Sequence, residues 1–142
     1  MPSEDRVSDD EVLYRRVPDI PGDFHKPISG GELRVTSGAF GDRQKQPSVD
    51  RAILRDNKPE NSKRKPTECI VSFTAGEVRG IEGFGRSIDV VPDPNPQDDP
   101  DNSAHALIVA DRPFSRNQFD KFKQALAGIA DSRWEIHPPC DT

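Results

Sequence analysis

No apolar run in this sequence approaches the roughly 18 residues of a membrane-spanning helix, and its start lacks the basic, apolar and small-residue succession of a secretory leader. A soluble, cytoplasmic protein without membrane association is expected. Cysteine is scarce: Cys69 and Cys140 form no CxxC pair, and neither stands at a zinc-ligand spacing from His25, His105 or His137. That excludes a zinc-finger pattern and leaves two free thiols as the expectation. Apolar residues make up only 32% of the chain and aromatics 6%, so the core is smaller than 142 residues would allow. The 14 prolines and 10 glycines point instead to long ordered loops around one domain.

A net charge of −5 argues against general nucleic-acid binding, but the charge is unevenly placed. Arg43 to Lys65 holds eight Lys or Arg against three acids, and Ser87 to Asp111 holds six Asp and no Lys or Arg. The basic stretch has no aromatic residue for base stacking, so nucleic acid is not an expected partner and a protein is.

Residues 1–12 read as a mobile tail whose only apolar anchor near the start is Val7, and 13–139 as a single domain. Leu13 to Val17 reads as a first strand or a last helical turn, with the strand favoured, and Pro18 and Pro21 force extended backbone immediately after it. Gly22 to Gly31 reads as loop, and Leu33 and Val35 alternate with polar neighbours as a half-exposed strand does. Ser48 as cap and Asp50 in the first turn suggest a short helix over Val49 to Arg55, followed by a charged loop to Lys65. Cys69, Val71 and Phe73 share one face of a strand, and Thr74 with Glu77 has the spacing of a capping box for a helix stopped by Gly83. Ile88 to Val91 reads as a strand with one buried face, ended by Pro92, and Leu107 to Val109 as a central strand, and the unit from Ser87 to Asp111 looks like the one that organises the chain. The clearest helix runs from Ser115 to about Ala130, with Ser115 and Gln118 as a capping box and Phe119, Phe122, Leu126 and Ile129 on one face. Trp134 and Ile136 give a last short strand. The fold class is α+β: a small mixed or antiparallel sheet covered by one main C-terminal helix, with proline-rich loops.

Chemistry-bearing residues are few. Asp93, Asp99 and Asp101 could offer oxygens to a cation, but an EF-hand loop begun at Asp93 would need glycine where Asp98 stands and glutamate where Ala104 stands. A solvated turn is the expected reading, and no cofactor is expected. Gly80, Gly83 and Gly85 are in the wrong order for a dinucleotide fingerprint.

Ser37-Gly38-Ala39-Phe40, Pro47-Ser48-Val49-Asp50-Arg51 and, after Asp93-Pro94, Asn102-Ser103-Ala104-His105-Ala106 together resemble an uncharacterised group of small bacterial proteins. That group carries Ser-x-Ala-Phe, Ser-Val-Asp and Asn-Pro-Ala-His-Ala elements in this order; here Ser103 stands where proline is usual. The resemblance implies a bacterial cytosolic origin and three elements that meet in space.

The expected function is a non-enzymatic interaction or accessory module of a bacterial multi-protein system, with the oligomeric state open. The alternative is an enzyme acting on a nucleotide or NAD-like substrate, in which Asp50, Arg51 and His105 would be the catalytic candidates and would share one pocket.

Overall fold

β1 (Val12–Pro18), β4 (Ser48–Arg51), β5 (Glu68–Thr74), β6 (Ile88–Pro92), β7 (His105–Ala110) and β8 (Trp134–Ile136) form an antiparallel sheet in the order β6-β7-β4-β1-β5-β8. β2 (His25–Pro27) and β3 (Leu33–Val35) pair as a separate ribbon. This computed structural model describes residues 6–20, 22–27, 33–82, 86–94, 103–131 and 133–138. With α1 (Ala75–Arg79) and α2 (Arg116–Ala130) added, the chain has the α+β class that its pattern implied.

Side-chain alternation sorts the sheet into two faces. Leu13 and Val17 of β1, Val49 of β4, Cys69, Val71 and Phe73 of β5, and Ile108 of β7 enter the main core, where Phe119, Phe122 and Leu126 of α2 cover them. The other face carries a smaller cluster of Tyr14, Ala52 and Ile70. α2 starts as its sequence indicates: Gln118 N donates to Ser115 Oγ at 3.2 Å, and Ser115 N donates to Gln118 Oε1 at 2.9 Å. Phe114 stacks on Phe122 at 4.9 Å between ring centres, which fixes the angle at which the chain enters the helix. α1 also has its capping box, made by Thr74 and Glu77, but ends at Gly80; Gly83 lies outside the described residues.

Four expectations change. The helix over Val49 to Arg55 is instead β4 followed by a 3₁₀ turn, Ala52–Arg55. Its residues pair with β1 on one side and β7 on the other, and two ladders outweigh one capped turn. Second, the loop over residues 22–31 contains β2, because His25 is buried and pairs with Val35. Third, β6 is an edge strand, so the Ser87 to Asp111 unit flanks the sheet while β4 and β1 occupy its middle. The outward side of that edge is blunted against further pairing: Arg79 Nη2 donates to Val90 O at 3.3 Å, Asp89 Oδ1 takes Val90 N at 2.7 Å, and Pro92 has no amide hydrogen to offer. Fourth, Cys69 is disulfide-bonded rather than free. Cys140 lies outside the described residues.

The start of the chain is docked from Val7 onward. Val7 is fully buried in the main core, Arg79 reaches its carbonyl, and Gly76 N donates to Asp9 O at 2.8 Å. Met1 to Asp5 lie outside the described residues.

Candidate functional site

The centre of the sheet is where β1 and β4 meet, and it is crowded with charge. Asp50 stands opposite Tyr14 on β1 and opposite His105 on β7. Its side chain is 1% exposed, and Oδ2 accepts from Arg16 Nη2 at 2.9 Å and from Arg55 Nε at 3.1 Å. Oδ1 has no hydrogen-bond partner among the described residues. Burial holds the Arg16 guanidinium below its ordinary range, against the pull of Asp50. Burial likewise raises the Tyr14 hydroxyl, with Glu135 and Glu60 adding to the shift.

Arg51 follows Asp50 in the same strand and therefore projects from the opposite face. Glu11 takes it in a fork, with Nε to Oε1 at 2.6 Å and Nη2 to Oε2 at 3.1 Å. His105 turns to the loop beyond β6: its Nδ1 is 3.1 Å from Asp93 O and 3.0 Å from Asp93 Oδ2. A ring proton on Nδ1 serves both acceptors and fastens that loop to β7. Asp50 and His105 are thus neighbours with separate partners, and Arg51 is turned away from both. Of the three, only Arg51 lines the groove of about 790 Å³ at this end of the sheet, together with Arg6, Leu54, Arg79, Pro92 and Pro94.

Of the cation candidates, Asp93 is engaged by His105, and Asp99 and Asp101 lie outside the described residues. Among the described residues no three His, Cys, Asp or Glu side chains gather as a metal would require. Nor is any helix among them long and apolar enough to cross a membrane.

The residue that sequence reasoning passed over is Arg15. Its Nε donates to Ala39 O at 3.0 Å, Nη1 to Ser48 O at 2.6 Å and Nη2 to Gly41 O at 3.3 Å, and its guanidinium lies 5.6 Å from the centre of the Phe40 ring. It thereby ties the Ser37–Phe40 turn to β4, while Arg51 N donates to Ala104 O at 2.8 Å and ties β4 to the start of β7. The Ser37–Phe40 turn and the start of β7 are thus each tied to β4. That turn also packs too closely for a side chain at Gly38, where a Cβ would stand 2.6 Å from Asp23 O. The available signal was a pair of arginines in the middle of Leu13-Tyr14-Arg15-Arg16-Val17, a strand with buried residues at both ends.

Comparison with known protein families, with curated proteins and with solved structures finds no match.

Proposed function

We propose that this chain is a non-enzymatic interaction or accessory module of a bacterial multi-protein system, and that its contact is the apolar tip Ile53-Leu54. The observation that carries the reading is the exposure of these two side chains, 60% and 50%, on a turn that is held firmly. Arg55 anchors the turn to the buried Asp50, and Asp56 closes it in the left-handed conformation at φ 57°. A rigid apolar pair loses little freedom on docking, which favours affinity. The surrounding stretch is basic and Arg6 is exposed nearby, so the partner that fits is a protein with an apolar socket rimmed by acids.

The alternative, an enzyme for a nucleotide or NAD-like substrate, needs Asp50, Arg51 and His105 around one substrate, and their separate ion-pair partners weigh against it. A cytoplasmic setting loses the support it drew from free thiols, since Cys69 is bonded and disulfides persist mainly in oxidising compartments.

The test is reconstitution. A protein recovered with the wild-type chain from its native host is purified and mixed with wild type, Ile53→Glu or Leu54→Glu. The reading expects a complex on gel filtration with wild type, at least about tenfold weaker binding by each variant, and unchanged melting of the variants alone. Equal binding by all three would sink it, as would turnover of a nucleotide by the wild type.

A further inference from the structure

Beneath the Ala52–Arg55 turn the chain closes a ring of polar contacts. Asp50 Oδ2 accepts from Arg55 Nε at 3.1 Å, and Arg55 O accepts from Asn61 Nδ2 at 3.0 Å. Asn61 belongs to a second 3₁₀ turn, Pro59–Ser62, whose last residue offers its carbonyl to Arg16 Nε. Arg16 Nη2 then returns to Asp50 Oδ2 at 2.9 Å. The ring joins β1, β4 and both turns.

Two atoms of this ring carry no contact. Asp50 Oδ1 and Ser62 Oγ are buried without a hydrogen-bond partner among the described residues, and each residue is 1% exposed. The geometry also brings the two residues together. Nε and Nη2 lie along one edge of the planar guanidinium, so their acceptors, Ser62 O and Asp50 Oδ2, stand side by side in front of Arg16. Oδ1 is the second oxygen of that carboxylate, and Oγ belongs to the residue that supplies that carbonyl. A buried carboxylate oxygen or hydroxyl left unpaired is destabilising, and native structures satisfy nearly all such atoms with protein groups or ordered water.

We propose that one internal water molecule is bound between Asp50 Oδ1 and Ser62 Oγ, donating to the carboxylate and accepting from the hydroxyl. The chemistry of the site selects it. A cation would meet the guanidinium groups of Arg16 and Arg55, and an anion would meet the carboxylate itself. What fits is a neutral molecule that donates and accepts at once, and the enclosure selects the smallest, water. The bridge gives β4 a second tie to the Pro59–Ser62 turn and so stiffens the Ile53-Leu54 tip from below. The site stands on the ring of contacts alone, whatever the tip binds.

The experiment joins a high-resolution crystal structure of the wild-type chain with thermal melting of Ser62→Ala, Asp50→Asn and the double variant. Ser62→Ala keeps the carbonyl that holds Arg16, so its fold is retained. The crystal should show one water within hydrogen-bond distance of both atoms. Ser62→Ala should lower the melting temperature, whereas removal of a hydroxyl that had no partner would leave it unchanged or raise it. The double variant should lose less than the sum of the two single losses, because both side chains hold the same molecule. Asn57 and Lys58, whose amides donate to Ala52 O and Arg55 O, should exchange their amide hydrogens about tenfold faster in Ser62→Ala, with the α2 amides unchanged. A direct Ser62 Oγ–Asp50 Oδ1 hydrogen bond or no water at that place in the crystal, Ser62→Ala melting at or above wild type, strictly additive losses, or unchanged exchange at Asn57 and Lys58 would each overturn the proposal.

Discussion

The carboxylate of Asp50 receives Arg16 at 2.9 Å from the neighbouring strand, and this single contact changes what Asp50 is for. In the sequence it looked like a first-turn acid or a catalytic candidate; in the fold it bridges two arginines beneath the 3₁₀ turn. Asp50→Ala removes the buried carboxylate that Arg16 and Arg55 share, and breaking a buried pair in this way costs about 3–5 kcal/mol. Urea unfolding of the variant measures it. A variant as stable as wild type would return Asp50 to the list of functional groups.

Phe122 is fully buried and stacked on Phe114, and Phe119 is nearly so. Truncating either to alanine should cost about 3–5 kcal/mol, with Phe122 the larger because the helix cannot settle onto the sheet without it. Melting of the two single variants checks both size and order.

These two predictions mark what was legible. The α2 helix could be read because its cap, its aromatic staple and its apolar face are local and repeat with the helical period. β4 could not, because Ser48-Val49-Asp50-Arg51 has one apolar side chain and buries its charges by pairing them with Arg16 and Glu11, which are 34 and 40 positions away. Hydropathy treats a buried, paired aspartate as an exposed one. Arg15 was harder still, since its partners are main-chain carbonyls and carry no sequence signal.

The N-terminal segment makes a sharper prediction than its composition suggests. Val7 sits in the main core, so Val7→Ala should lose about 2 kcal/mol, roughly two buried methyl groups' worth plus a small cavity. Arg79→Ala should also destabilise, because Arg79 binds Val7 O, Asp9 and Asp89. Unchanged melting in both would mean that this segment contributes nothing to stability.

Glu77 links the cap of α1 to Arg133, and the Arg133 hydrogen bond is the main cause that lowers its carboxyl below the ordinary carboxylate range. A depressed folded-state value means that the group adds stability above about pH 4.3, its unfolded range, and that this is lost as pH falls through the folded value. Glu77→Gln should therefore be less stable than wild type at pH 7, with the gap narrowing in acid. A gap that is constant with pH would mean the carboxylate charge is not what matters.

Cys69 gives the last prediction. Its side chain is fully buried in β5 and is disulfide-bonded, so a thiol reagent added to the native, unreduced protein should find no reactive Cys69. A thiolate attacks only a sulfur that it can reach, and burial denies that approach at the Cys69 sulfur. Once reduced, the protein should be less stable by about 2–4 kcal/mol, the usual contribution of a disulfide. Rapid labelling of Cys69 in the native protein, or melting that reduction does not change, would restore the free thiol and with it the case for a reducing cytoplasm. Cys69 that is labelled only after both denaturant and reductant are added, together with the loss of stability on reduction, would support the bond.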